Sequence, residues 1–193
     1  MLRQIPNLIT ALRILLIAPI ALALLHHELL IALGLFFIAA ASDLLDGFIA
    51  KRFAWQSALG GVLDPAADKL LLATSFVVLA VMHLVPLWLM ATAVARDLVI
   101  VSGAIAYRLW LGPVEARPSN LSKLNTLCQA LFILCVIARQ QFSQPDAWAI
   151  VTLGALTFLT TVVSGIDYVL RYGQAALEES RSRRTPTPER ELT

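Results

Sequence analysis

Hydrophobic and polar positions fall in blocks along this chain. Six apolar runs, at residues 8–25, 29–50, 63–82, 87–111, 121–138 and 148–172, are separated by short polar turns. About 20 apolar residues make a helix that crosses the hydrocarbon core of a bilayer. The pattern therefore predicts an all-α fold: a polytopic membrane protein, a bundle of six transmembrane helices with both termini on one side. The turn His26-His27-Glu28 reads as a solvated loop, since adjacent histidines diverge on a helix and make a poor metal cluster. Residues 51–60 form a polar link, with Gly60 and Gly61 as a helix breaker. Pro65 suits the first turn of the third helix. Trp148, Tyr168 and Tyr172 are candidate interface aromatics. Residues 173–193 form a charged, proline-containing tail with Arg181, Arg183 and Arg184, expected to be disordered and able to touch anionic lipid. The domain reading is thus a transmembrane domain at 1–172 and a basic tail at 173–193.

Composition sharpens this picture. Of 193 residues, 59% are hydrophobic and only 15% charged, against about 25% charged in soluble domains. The mean hydropathy is +0.77. Membrane lipids are the expected surroundings, and no nucleic-acid partner is expected. Cys128 and Cys135 lie in one apolar run. On a helix their Cα atoms would stand roughly 10 Å apart, too far for a disulfide. A signal peptide is a rival reading of the first run, since Arg3, the apolar stretch and Ala21-Leu22-Ala23 mimic one. Arg13 inside that run is wrong for a signal core.

Charge sets the orientation. Arg3, Lys51, Arg52, the region from Arg108 to Lys123 and the C-terminal tail fall on one face of a six-span layout, and among the turns of the other face only Arg139 is basic. The positive-inside rule places the basic face in the cytoplasm. The chain is expected to be an integral multi-pass protein of a bacterial inner membrane.

The candidate chemistry lies on that cytoplasmic face. Asp43 and Asp46 are three residues apart, Asp64 and Asp68 four apart, so each pair shares a helical face. Four carboxylates at a membrane edge cannot all stay ionised alone. Two divalent cations would balance them, and oxygen-only ligands favour Mg²⁺, Mn²⁺ or Ca²⁺ over zinc. Arg96 and Asp97 sit inside the fourth run, where charge is expensive. Either Arg96 binds an acidic head group, or the two form an ion pair that ties helices together. The small residues Ala91, Ala95, Ser102, Gly103 and Ala106 permit close helix packing, in a homodimer or within one bundle. Asn7, Thr10 and Arg13 share one face of the first helix. That face either points at the aspartates or is a cap with a snorkelling arginine.

The stretch 43–68 reads D-x2-D-G-x2-A-K-x8-G-x3-D-x3-D. It resembles the signature of the CDP-alcohol phosphatidyltransferases at Asp43, Asp46, Gly47, Ala50, Gly60, Asp64 and Asp68. Lys51 departs from it, since the family usually has Arg there; the charge is kept and the planar fork lost. PNLITALR, residues 6–13, also resembles the opening of that family. The resemblance implies that an acceptor hydroxyl attacks the lipid-linked phosphorus of CDP-diacylglycerol and CMP leaves. It implies two divalent ions, Mg²⁺ or Mn²⁺, on Asp43, Asp46, Asp64 and Asp68, with Asp68 also the base that takes the acceptor's proton. Gly47, Ala50, Lys51, Gly60, Asn7, Thr10 and Arg13 would lie along the nucleotide.

The acceptor is read from two further places. Phosphatidylglycerophosphate synthases typically carry Arg-Glu in the fourth span and Gly-Lys-x-Lys-Thr before the fifth. This chain has Arg96-Asp97 and Ser122-Lys123-Leu124-Asn125-Thr126, which look more like the cardiolipin synthases of the CDP-alcohol type. Asn125 in place of a second Lys removes a cation, which suits phosphatidylglycerol, with its single phosphodiester charge. Arg96 and Lys123 would contact that phosphate. Glycerol 3-phosphate is the alternative acceptor. A divalent-cation transporter is the reading from another class; it predicts acids near mid-membrane, not at a helix-loop-helix junction on one face.

Overall fold

A computed structural model gives the protein's fold. It describes the backbone of residues 5–53, 60–110 and 119–184, and side chains over 10–42, 66–106, 119–171 and 173–174. Six helices follow one another: α1 (Ile5–Leu25), α2 (Leu29–Phe53), α3 (Gly60–Val81), α4 (Leu87–Trp110), α5 (Asn120–Phe142) and α6 (Ala147–Arg184). They pack as a closed ring. Going round it, α1 touches α2, α2 touches α5, α5 touches α6, α6 touches α4, α4 touches α3, and α3 returns to α1. A further contact from α3 to α5 crosses the middle. There the ring of Phe76 stacks on Phe132, with centroids 6.0 Å apart, among buried Leu24, Phe36, Leu79, Ile133 and Ile137.

The outer surface is as apolar as the core. Leu15, Phe37, Leu87, Trp88, Leu98, Trp148 and Val151 are all exposed. An apolar surface this extensive requires lipid, and the chain is a membrane protein. Among the described residues, Leu87–Ala106, Asn120–Phe142 and Ala147–Arg171 are long and apolar enough to cross a bilayer, while Thr10–Leu25 and Leu29–Ser42 are shorter apolar stretches.

Local rules explain the turns after α1, α3 and α5. Each contains a left-handed residue: His27 (φ 60°), His83 (φ 58°) and Ser143 (φ 57°). At the first, Glu28 N–H donates to Ala23 O at 2.8 Å and His27 N–H to Leu24 O at 3.0 Å; Leu84 and His83 repeat this on Leu79 and Ala80. These are Schellman closures, which satisfy the last carbonyls of a helix. His26, His27 and Glu28 are exposed, as a solvated turn requires.

Some boundaries differ from the expectation. Gly60 and Gly61 open α3 rather than break the chain, so Pro65 stands beyond the first turn. The stretch from Arg139 to Phe142 continues α5 instead of joining the turn. The helix α6 runs on to Arg184, through part of the tail expected to be disordered. Gln174-Ala175-Ala176-Leu177-Glu178-Glu179 is a run of good helix formers, enough to extend a helix already nucleated in the bundle. Residues 185–193 lie outside the described residues. The hydroxyl of Tyr168 donates to Ile100 O at 2.8 Å, which ties α6 to α4. Gly103 makes room for its ring, since a Cβ there would stand 3.1 Å from Tyr168 Cε1.

Candidate active site

The site begins with a buried cation on α1. Arg13 and Thr10 are each only 1% exposed, so the polar face of α1 turns into the bundle. Arg13 Nη1 donates to Asp68 Oδ1 on α3 in a close ion pair. The arginine therefore does not snorkel to water. It fixes one oxygen of the aspartate that closes the motif.

Lys69 follows Asp68, and consecutive helical side chains diverge by about 100°. Asp68 consequently meets α1 while Lys69 reaches α4, the other neighbour of α3 in the ring. Lys69 Nζ lies 3.5 Å from Asp97 Oδ1. The same oxygen accepts from Arg96 Nη1 at 2.7 Å. Arg96 Nη2 donates to Ser122 Oγ on α5 at 2.9 Å, and also to Ser164 Oγ on α6. One guanidinium thus joins α4, α5 and α6 beside the pair that joins α1 and α3. Arg96 Nε is buried and has no hydrogen-bond partner among the described residues. Among the described residues, Lys69 and Arg96 set against Asp97 leave one positive charge in excess in this cluster.

Below it runs a polar seam between α5 and α6. Asn125 is fully buried, and its Oδ1 lies 2.8 Å from Thr161 Oγ1 and 3.1 Å from Thr160 Oγ1. Both hydroxyls also lie within hydrogen-bond distance of carbonyls on α6, Thr161 at 2.7 Å from Thr157 O and Thr160 at 2.9 Å from Leu156 O. A hydroxyl has one proton, so turning the amide over would let Asn125 donate to both oxygens instead.

The sequence-derived site residues distribute as follows. Thr10, Arg13, Asp68 and Arg96 face into the bundle and are tied to one another's neighbourhood. Asp43, Asp46, Gly47, Ala50 and Lys51 fall within α2, Gly60 and Asp64 within α3, and Asn7 within α1; their side chains lie outside the described residues. Lys123 is exposed near the start of α5, and its neighbour Ser122 makes the contact with Arg96. Asn125 faces α6 and not a head-group space, so its effect on acceptor charge is not direct. The ion pair Arg96–Asp97 lies within α4, and the ties between helices run from Arg96 to Ser122 and Ser164 and from Asp97 to Lys69. Lys69 and Ser164 were not singled out in the sequence, and Ser122 entered only as the first residue of the stretch 122–126. Lys69 was the findable one, as a cation abutting the last motif aspartate.

Residues 3–167 match the CDP-alcohol phosphatidyltransferase family over most of the chain. The chain belongs to that family. Its relatives include the human cardiolipin synthase (CMP-forming), 32% identical over 190 residues covering 90% of this chain and 63% of the relative. They also include the CDP-diacylglycerol–glycerol-3-phosphate 3-phosphatidyltransferase of Pseudomonas fluorescens, 33% identical over 187 residues and 90% of each chain. A probable phosphatidylglycerophosphate synthase of Mycobacterium tuberculosis is 29% identical over 175 residues, 87% of this chain and 81% of the relative. The chain thus spans under two thirds of the cardiolipin synthase named here. All four motif aspartates and the ion pair Arg13–Asp68 lie inside the part that matches the family.

Proposed function

We propose that this chain is a metal-dependent phosphatidyltransferase that moves a phosphatidyl group from CDP-diacylglycerol to an alcohol, with phosphatidylglycerol as acceptor and cardiolipin as product. The observation that carries the chemistry is the buried ion pair of Arg13 with Asp68. It orients the last motif aspartate toward α1 by one carboxylate oxygen, the kind of positioning that a base requires. In the reaction the acceptor's hydroxyl oxygen bonds to the lipid-linked phosphorus. The bond from that phosphorus to the bridging oxygen breaks, CMP leaves with the electron pair, and the hydroxyl proton passes to Asp68.

The donor set read from the sequence is all carboxylate, the ligand chemistry that hard divalent ions take. Asp43, Asp46, Asp64 and Asp68 would hold two of them, Mg²⁺ or Mn²⁺, which would supply positive charge against the pyrophosphate of the donor and departing CMP. Asn7, Thr10, Gly47, Ala50, Lys51 and Gly60 would line the nucleotide. Arg96 would meet the acceptor's phosphate, with Lys123 nearby. The one excess positive charge of the Arg96, Lys69 and Asp97 cluster suits a phosphodiester better than a dianion. The basic loops support a cytoplasmic site in a bacterial inner membrane.

Glycerol 3-phosphate is the second reading, favoured by the 3-phosphatidyltransferase of Pseudomonas fluorescens whose name carries that acceptor and which matches over 90% of each chain at 33% identity. The test supplies purified protein with CDP-diacylglycerol, Mn²⁺ and each acceptor separately, following CMP and lipid product. Cardiolipin from phosphatidylglycerol is expected, and Asp68→Asn should reduce turnover by at least about a hundredfold. Phosphatidylglycerophosphate as the only product would reject the acceptor, and full turnover by Asp68→Asn would reject the base.

A further inference from the structure

A groove of about 640 Å³ runs between α4 and α6 on the outer face of the ring, a volume within the ~300–1,000 Å³ typical of ligand sites. Its walls include Ala91, Ala95 and Val99 on α4 and Val162, Ile166 and Val169 on α6. The groove also touches Arg96, a charged residue only 7% exposed. Thr92 and Thr161 contribute to the walls, but each hydroxyl reaches a carbonyl on its own helix at 2.7 Å. What the groove offers a ligand is therefore hydrocarbon along its length and one guanidinium in its wall. Gly165 keeps it open there: a Cβ at that position would meet only Arg96 Cγ, at 3.5 Å.

We propose that this groove seats an acyl chain of the lipid acceptor, with Arg96 meeting that lipid's phosphate. The proposal rests on the phosphatidylglycerol reading and extends it to the lipid's tail. Three observations select this occupant. The cluster around Arg96 carries one excess positive charge, and Nε of Arg96 is a buried donor with no partner among the described residues. An anionic phosphodiester complements both, whereas an apolar helix from a second copy would cover a charge without answering it. The groove is continuous with the candidate active site through Arg96 and its neighbour Asp97, which pairs with Lys69 beside Asp68. Finally, α4 and α6 carry none of the four motif aspartates, which lie on α2 and α3. A chain in this groove stands across the ring from α2 and its aspartates Asp43 and Asp46, with α3 as the nearer of the two motif helices. From Ala91 to Val99 the groove extends roughly 12 Å along α4, so it takes a long chain and gives little to a short one. A water-soluble acceptor has no use for it.

Two measurements test this. In the first, wild-type protein in vesicles is irradiated with phosphatidylglycerol carrying a diazirine in its acyl chain. Label should concentrate in the peptides spanning residues 91–99 and 161–170, and unlabelled phosphatidylglycerol should compete it away more strongly than CDP-diacylglycerol. In the second, Ala91→Phe and Ala95→Leu fill the groove from exposed positions outside the core. KM for dioleoyl phosphatidylglycerol should rise about tenfold, the loss expected for about two methylenes no longer buried. KM for CDP-diacylglycerol and for dihexanoyl phosphatidylglycerol should stay as in wild type.

A rise confined to CDP-diacylglycerol would overturn the proposal by giving the groove to the donor. Unchanged KM values with loss of a dimer would give it to a second copy. If wild-type protein makes only phosphatidylglycerophosphate, the acceptor reading itself falls. If it makes cardiolipin while labelling and KM ignore the groove, the groove assignment falls alone.

Discussion

The most consequential residue is Arg13. It is a full charge in an apolar helix, only 1% exposed, and it is matched to a carboxylate on another helix. Removing one member of such a pair leaves the other charge without its partner. Arg13→Ala should lower stability by up to about 3 kcal/mol, the low end for a buried pair because Asp68 keeps 24% of its side-chain surface. Thermal unfolding in detergent reads this. Arg13→Lys keeps the charge without the planar fork and should fall between the two. An unchanged midpoint for Arg13→Ala would mean that the pair does not hold α1 to α3. Arg96 differs in kind: its hydrogen bonds reach Asp97, Ser122 and Ser164 on three helices, so its loss touches the packing of all three.

At the scale of elements, α5 and α6 are joined by polar atoms as well as by surface. Lipid tails are as apolar as leucine, so hydrocarbon contact alone gives helices little reason to choose one another. The seam of Asn125, Gln129, Thr157 and Thr161 supplies that choice. A double-mutant cycle of Asn125→Ala and Thr161→Val should return a coupling of about 0.6 kcal/mol, and no more than ~1.7. Reversible unfolding in mixed micelles reads it, and a coupling of zero would remove the seam as a source of specificity. The same two helices show why the tail was misjudged. Composition after Gly173 is that of a solvated segment, but a helix anchored over its first turns propagates at little further cost.

For the molecule as a whole, the ring order α1, α2, α5, α6, α4, α3 is the property that makes a site out of scattered residues. It brings α3 beside both α1 and α4, so that the Arg13–Asp68 pair and the Lys69–Asp97 contact lie on neighbouring residues of one helix. Single cysteines replacing His26, His83 and Ser143, in a background of Cys128→Ala and Cys135→Ala, should label with an impermeant maleimide from outside the cell. Asn120→Cys, at the exposed start of α5, should label only after permeabilisation. The reverse pattern would invert the proposed orientation and overturn the cytoplasmic placement of the aspartate motif.

By itself the sequence determined the class of the protein. Apolar runs of bilayer length leave the backbone only helix as a solution, and the spacing of Asp43, Asp46, Asp64 and Asp68 follows from a helical repeat that any reader of the chain can apply. It also marked Arg13 and Arg96 as expensive, because charge in an apolar run is expensive wherever the helix goes. Their partners were not legible. Asp68 is 55 residues from Arg13, and Ser164 is 68 from Arg96. Such pairs depend on which helices are neighbours and how each is rotated, and six apolar helices of similar composition carry almost no local record of that choice. Only the tertiary structure decided that Asn125 faces a threonine seam, that Tyr168 packs on Gly103, and that α4 and α6 leave a groove beside a buried guanidinium.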